Sequence, residues 1–402
     1  MRIERNPFVS TGTAAVALHG FVYSTNFGDM LLSRLTADIV RRRLPRAALS
    51  LPFASRTFVR GAGIDCVTGL RSFLGSDVLL YQGGGYFAFS SRFQLLDRTR
   101  LYQRFYAPAL AAAALWKPYG IFGVGVGPIK SSFQSRVVRR VFQGASMVSV
   151  RDEEGYDWLR RIGVPHGQIN LAADLAIGLE WDDVPQAAIL DAERLLADIP
   201  GERRIGIHLS GPSSASQEYA AAISGITTYL NRHPEIGVAL LCDHLSPENP
   251  GAAPQYQAAM EMAKHFGARA KFVGQPPLWS LVALLGKLDG LVTNKLHAGI
   301  VGSAFGRRVV SIAKSEKNFR FFRQAAAESR CMRLADCTNS DVSAFLERGF
   351  ESLHEATPLP ASLKELARRN EILIGRFLEA TTSATPPQHE PVRQHEISET
   401  GL

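Results

Sequence analysis

Short apolar runs that end in Gly, Asn or Asp alternate along this chain with longer stretches in which apolar residues recur every three or four positions. The first pattern fits strands buried on both faces and the second fits amphipathic helices, so their alternation predicts βα units and a parallel sheet. In the first half, strands are expected over 14–20, 48–53, 77–81, 119–126, 147–150 and 170–177, with helices over 27–43 and 153–162. After Trp181-Asp182-Asp183-Val184-Pro185 the rhythm restarts, with a helix over 187–198 and strands over 204–209, 238–243, 271–273, 290–294 and 308–313. A last helix is expected over 362–378, and the Pro-, Thr- and Glu-rich tail over 381–402 is expected to be disordered.

The fold class predicted is α/β: two Rossmann-like lobes, each with a mostly parallel sheet, facing each other across a cleft. The expected boundaries are 1–185 for the N-terminal lobe, 186–357 for the C-terminal lobe, 358–380 for a C-terminal helix and 381–402 for the tail. Doubly wound lobes bind ligands outside the carboxyl ends of their strands, so function is sought in the loops there.

Composition narrows the class. At 402 residues, with 46% hydrophobic and 20% charged side chains, the chain has material for two cores. The net charge of +8 is spread in local groups such as Arg41-Arg42-Arg43, which favours an anionic small molecule or membrane surface. No nucleic-acid motif is present, so no nucleic-acid partner is expected. The four cysteines lack metal-ligand or CxxC spacing and read as reduced core residues of a cytoplasmic protein. The apolar run 14–18 is too short for a signal peptide and leads straight into structured sequence. No segment reaches the roughly 20 apolar residues of a membrane span. No metal and no cofactor are expected.

Four strand-end segments carry candidate chemistry. Tyr23-Ser24-Thr25-Asn26-Phe27-Gly28-Asp29 precedes a helix that Asn26 or Asp29 can cap, presenting backbone amides and one carboxylate. Gly83-Gly84-Gly85 suggests close approach of a ligand or another segment to the main chain, although it matches no known phosphate loop. Arg151 ends an apolar strand, where it either grips a carboxylate or phosphate or pairs with Asp152, Glu153 or Glu154. The most informative segment is Gly290-Leu291-Val292-Thr293-Asn294-Lys295-Leu296-His297, which places Lys295 and His297 at a helix N-terminus that favours anions. A histidine there is able to exchange a proton near neutral pH. Further on, Lys314 and Lys317 point either to the same crevice or to solvent, solvent being favoured more for Lys314.

Taken in order, Asn26-Phe27-Gly28-Asp29, Gly83-Gly84-Gly85, Gly123-Val124-Gly125, Ser149-Val150-Arg151-Asp152-Glu153, Ala173-Asp174, Lys295-Leu296-His297 and Lys317 resemble the polysaccharide pyruvyl transferase family. The resemblance implies a glycosyltransferase-B-like fold, with an acceptor side in the N-terminal lobe and a donor side in the C-terminal lobe. It implies transfer of a pyruvyl group from phosphoenolpyruvate, as co-substrate, to two hydroxyls of a sugar in a polysaccharide or lipid-linked precursor, leaving a cyclic ketal. By the family's pattern Arg151, His297 and Lys317 serve phosphoenolpyruvate. Lys295 stands where the family usually has Arg, which keeps the charge but not the planar two-point grip. Read chemically, His297 is the proton donor and Asp29 orients or deprotonates the attacking hydroxyl. Lys295, Asn26, Gly83, Gly84 and Gly85 complete the binding set.

Two rivals remain at this point: a nucleotide-sugar glycosyltransferase of the same architecture, and a non-catalytic carbohydrate-binding protein. A location at the inner face of the plasma membrane also stays open. Arg92, Arg98, Arg100 and Arg104, interleaved with Phe93, Leu95, Leu96, Leu101 and Phe105, either meet anionic lipid or form a helix packed on the sheet.

Overall fold

The computed structural model describes residues 13–87, 99–209, 216–242, 254–351, 353 and 355–382. Arg92, Arg98 and the apolar residues between them lie outside this set, as do Asp243 and the tail from 383.

The strands are β1 (Ala15–His19), β2 (Ala48–Ser50), β3 (Val78–Tyr81), β4 (Gly84–Phe87), β5 (Tyr119–Val126), β6 (Met147–Val150), β7 (Ile169–Leu171), β8 (Arg203–His208), β9 (Ile236–Leu241), β10 (Ala270–Gly274), β11 (Gly290–Thr293), β12 (Arg308–Ala313) and β13 (Cys331–Arg333). The α-helices are α1 (Phe27–Arg43), α2 (Arg56–Ala62), α3 (Leu70–Leu74), α4 (Ala107–Ala114), α5 (Ser132–Gly144), α6 (Glu153–Arg161), α7 (Gln186–Ala197), α8 (Gln217–Arg232), α9 (Pro254–Phe266), α10 (Leu278–Lys287), α11 (Leu296–Ala304), α12 (Glu316–Gln324), α13 (Asn339–Gly349) and α14 (Ala361–Thr382). All the strand pairings are parallel.

The first sheet runs β2-β1-β3-β5-β6-β7, with β4 attached to β5, and the second runs β10-β9-β8-β11-β12-β13. Renumbered within its own lobe, the second order is 3-2-1-4-5-6, the doubly wound arrangement whose crevice opens where the order reverses, between β8 and β11. In the first sheet the order reverses between β1 and β3. Helix α1 follows β1 and α11 follows β11, so each lobe brings a helix N-terminus to its own reversal point. The two loops meet there.

Burial explains why the pattern was readable. Every residue of β3, β5 and β11 is buried, as expected for strands covered by helices on both faces. Helix α1 buries Phe27, Met30, Leu31, Ala37 and Val40 against the sheet and exposes arginines in its last turn, where the helix dipole favours them.

Three expectations need correction. The run 170–177 is not one strand: β7 stops at Leu171, and Asp174 caps a short 3-10 turn over Leu175–Gly178 by accepting the Ala176 N–H at 3.1 Å. The segment around Gly83–Gly85 is not simply a loop, because Gly84–Phe87 forms β4 against Val124 and Val126 of β5. Of the cysteines, Cys242 and Cys337 are buried while Cys66 and Cys331 are only partly so; all four are free thiols.

Helix α14 packs on the first sheet, not the second. Its Asn370 is fully buried, donates to the Ala173 carbonyl at 3.2 Å and accepts the Ser149 hydroxyl at 2.6 Å. Gly123, at φ +59°, makes room for it: a Cβ there would stand 2.3 Å from the Asn370 amide nitrogen. The β5–β6 register shifts at this point, where the Gly123 N–H turns to the Ser149 hydroxyl.

Among the described residues no helix is long and apolar enough to cross a membrane. Of the basic segment considered for a membrane surface, Phe105 is fully buried and stacks on Phe21 and Tyr86, while Arg104 lies 4.5 Å over the Tyr23 ring. The described part behaves as a packed helix.

Candidate functional site

The site begins with three local chain reversals. In the N-terminal lobe, β1 ends at His19 and the chain reaches Asn26, whose side-chain oxygen accepts the Gly28 N–H at 3.0 Å and starts α1. Of the two capping residues the sequence offered, Asn26 is the one used.

In the C-terminal lobe, Thr293 at the end of β11 binds the His208 carbonyl with its hydroxyl, and that hydroxyl accepts the Lys295 N–H at 2.9 Å. Helix α11 then starts with Lys295 as N-cap and without a side-chain cap, so its first-turn amides keep their capacity for an acceptor. After β12, α12 also starts without a side-chain cap, at Ser315. Two such helix N-termini side by side favour negative charge.

These segments enclose a cavity of about 200 Å³ lined by Asn26, Phe27 and Gly28 on one side and by Asn294, Lys295, His297, Lys314, Ser315 and Lys317 on the other. Among the described residues no carboxylate lines it. Lys314, expected to face solvent, sits at the rim; partial burial and the neighbouring Lys295 charge push its amine down to about 8. Where Lys295 gives up the two-point grip of an arginine, Lys314 therefore supplies a further cation.

His297 stands at the junction of the lobes. A Cβ on Gly28 would lie 1.8 Å from its Nδ1, so the imidazole rests directly on the Gly28 main chain and only glycine fits. On the other edge, Nε2 is shut off from solvent and lies 3.4 Å from Asp174 Oδ2, close enough for charge pairing though loosely aligned as a hydrogen bond.

Arg151 lies behind this contact, only 6% exposed, and does not line the cavity. Its Nη1 donates to Asp174 Oδ2 at 2.9 Å, whereas Asp152 is 3.9 Å away and Glu154 is taken by Arg320 at 2.6 Å. Arg151 is thus paired most closely with Asp174, distant in sequence, and more loosely with its neighbour Asp152. The rest of its guanidinium lies along Gly125 and toward Gly85; a Cβ at Gly125 would be 3.0 Å from Nε and Nη2. Burial alone would raise the Asp174 carboxyl, but the His297 charge and hydrogen bond, the Arg151 charge and the Ala176 N–H outweigh it and hold the group at about 2.

The remaining predicted residues divide. Gly85 is exposed beside Arg151, while Gly83 is buried against Leu32 and the Gly123 carbonyl, and Gly84 against the Tyr86 ring. Asp29 sits in the first turn of α1, partly buried, outside the cavity lining. Its charge and that of Arg151 both act on the buried Tyr86 hydroxyl, so the three groups are neighbours. The structure therefore gathers Asn26, Lys295, His297 and Lys317 around one cavity, while Arg151, Asp29, Gly83, Gly84 and Gly85 do not line it. Two members were missing from the predicted set: Asp174 and Lys314. Asp174 was visible only as part of an Ala-Asp pair after a strand.

The lobes are also tied at the rim. Arg320 of α12 reaches the Val126 carbonyl and Glu154, Gln324 binds the Arg151 carbonyl at 2.9 Å, and Gln275 reaches the Thr25 carbonyl at 3.3 Å. Among the described residues no group of three or more His, Cys, Asp or Glu side chains is arranged to hold a metal.

The overall architecture is shared with solved structures. The chain superimposes with a TM-score of 0.61 and 11% identity on the Staphylococcus aureus MnaA–UDP complex, covering 93% of this chain and 99% of that one. The UDP-GlcNAc 2-epimerase from Neisseria meningitidis bound to UDP-GlcNAc gives 0.60 at 10% identity, with 91% and 100% covered. HepE from Anabaena with UDP and glucose gives 0.53 at 13%, with 93% and 100% covered. At such identities the likeness establishes the fold, which is glycosyltransferase-B-like. No curated protein matches the chain. Residues 26–316, which contain every side chain placed at the cavity except Lys317, match the model of one family, Polysaccharide pyruvyl transferase, and the chain belongs to that family.

Proposed function

We propose that this protein transfers the pyruvyl unit of phosphoenolpyruvate to two hydroxyls of a sugar, on a polysaccharide or lipid-linked precursor, forming a cyclic ketal and releasing phosphate. The observation that carries the reading is the cavity itself: three lysines, two helix N-termini without side-chain caps and one histidine, with no carboxylate among the described lining residues. Phosphoenolpyruvate carries a carboxylate and a phosphate on one enol, and such a lining neutralises both without a metal.

The chemistry follows from where charge develops. His297 gives a proton to the methylene carbon of the enol, the adjacent carbon gains oxocarbenium character, and a sugar hydroxyl adds to it and gives up its proton. The second hydroxyl then displaces phosphate from the same carbon, so that one C–O bond forms as the C–O bond to phosphate breaks, and its proton leaves with the phosphate. Lys295, Lys314 and Lys317 hold the leaving phosphate. Asp29 and Arg151, on the N-terminal lobe with Gly85, form the acceptor wall, where Asp29 orients or deprotonates the incoming hydroxyl.

The solved structures similar in fold hold UDP, UDP-GlcNAc, or UDP and glucose. Among the described residues no acidic side chain lines the cavity to grip a ribose, which favours phosphoenolpyruvate as donor. Phosphate release from phosphoenolpyruvate, measured against a panel of nitrophenyl and lipid-linked sugars, tests the reading, with thermal shift against UDP-sugars as the comparison. Release with one acceptor class, stabilisation by phosphoenolpyruvate and not by UDP-sugars, and loss of turnover in His297→Gln are expected. Wild-type turnover in His297→Gln at saturating phosphoenolpyruvate would remove His297 as the proton donor.

A further inference from the structure

We infer that Asp174 is a positioning residue that fixes, from the opposite lobe, which imidazole nitrogen of His297 faces the lysine cavity; the inference rests on the reading of His297 as the proton donor.

The carboxylate is itself held rigidly. Oδ1 caps the 3-10 turn through the Ala176 N–H, Oδ2 accepts Arg151 Nη1 at 2.9 Å, and the group is 2% exposed. An ionised carboxylate only accepts hydrogen bonds. The nitrogen 3.4 Å from Oδ2 is Nε2, and it is buried, so in the neutral ring the proton belongs on Nε2. Nδ1 is the nitrogen on the Gly28 side, and Gly28 and His297 together line the cavity. Nδ1 is therefore the atom that exchanges protons with a bound ligand, and Asp174 supports the positive ring from behind when both nitrogens are protonated. An acid that orients the ring from one nitrogen while the other does chemistry is a recurring device in enzymes.

Arg151 completes the device. By sharing Oδ2 it keeps Asp174 ionised, and the low position of the carboxyl, at about 2, accords with that. Two glycines make the arrangement possible, Gly125 under the guanidinium and Gly28 under the imidazole. Because Asp174 and Gly28 belong to the N-terminal lobe and His297 to the C-terminal lobe, the working tautomer exists only when the lobes are docked. A histidine on an open lobe has neither partner.

The charged groups that surround His297 are Asp174 from the 3-10 turn, Arg151 beyond it, Asp29 on α1, Lys295 beside it at the start of α11, and Lys314 and Lys317 across the cavity. Only Asp174 lies at an imidazole nitrogen within the ion-pair distance. Replacing it by Asn removes the charge that supports the protonated ring. In Asp174→Asn kcat at pH 7.5 is expected to fall about 100-fold, with KM for phosphoenolpyruvate changed less than threefold.

The direct test is nitrogen-15 NMR of histidine-labelled wild-type protein, the His297 signals being assigned by their absence in His297→Gln. A neutral ring protonated at Nε2, turning into a mixture or into the Nδ1-protonated form in Asp174→Asn, is the expected result. A wild-type ring protonated at Nδ1, or an Asp174→Asn ring unchanged in tautomer, overturns the inference. If Asp174→Asn alone fails to fold because Arg151 is left buried and unpaired, Arg151→Met/Asp174→Asn removes both charges and is read in the same way. The NMR result does not require phosphoenolpyruvate. An Nε2-protonated ring in a protein that releases no phosphate from phosphoenolpyruvate would sink the donor assignment and leave the positioning role standing.

Discussion

Replacing Gly28 by alanine isolates the contact on which the cavity depends. The new Cβ would lie 1.8 Å from His297 Nδ1, 2.3 Å from Cγ and 2.7 Å from Cε1. Ordinary van der Waals contact begins near 3.5 Å, so the ring, or the start of α1 beneath it, has to retreat by more than about 1.5 Å. The ring has little room to do so, because Asp174 stands on its other edge. Overpacking of this kind costs about 1–3 kcal/mol of stability. The catalytic cost is larger, since a displacement of about 1 Å at a reacting group is enough to lower a rate about 100-fold. Urea unfolding and phosphate release from phosphoenolpyruvate measure the two effects separately. A cycle with His297→Ala identifies their origin: once the imidazole is gone the alanine methyl has space, and the stability cost of Gly28→Ala should fall to a few tenths of a kcal/mol. An equal cost in both backgrounds would refute the contact. Wild-type turnover in Gly28→Ala would refute the claim that the ring position governs the reaction.

Two further outcomes follow from the structure. The Lys314 amine is held down at about 8, so it is charged below that pH and neutral above it; KM for phosphoenolpyruvate should rise between pH 7 and pH 9, and Lys314→Met should flatten that rise while raising KM at pH 7. Asn370→Ala leaves the Ala173 carbonyl and the Ser149 hydroxyl without their partner on α14 and should cost about 1–3 kcal/mol in urea unfolding, with faster amide exchange in α14 than elsewhere in the lobe.

Helix α1 and strands β5, β6 and β12 begin and end where the apolar pattern alone places them, because the strands are mostly apolar runs within a sheet and α1 repeats its apolar residues every three or four positions. The pattern fails where a polar side chain captures a backbone amide. Asp174 sits in an otherwise apolar stretch, Ala172-Ala173-Asp174-Leu175-Ala176-Ile177, that alternates no differently from a strand until the carboxylate caps the turn. The glycines at 83–85 mislead in the opposite direction, since pairing with β5 makes a strand of residues with low strand propensity.

The site shows the same division between local and long-range information. A strand-end lysine and histidine at a helix N-terminus are features of consecutive residues, so the placement of Lys295 and His297 at the start of α11 was legible. The partner of Arg151 was not, because nearby acids look equally good along the chain and only the β6–β7 pairing brings Asp174 within 2.9 Å. Lys314 reads as a surface residue until β12 is laid beside β11, which turns it toward the α11 N-terminus. The contact between Gly28 and His297 joins opposite lobes and has no local signature at all. Yet under the proposed function that contact decides the chemistry. With Gly28 under one edge of the ring and Asp174 against the other, His297 is a positioned acid only in the docked arrangement. The cross-lobe bonds of Arg320, Gln324 and Gln275, which touch none of the cavity, therefore belong to the catalytic design as much as the lysines do.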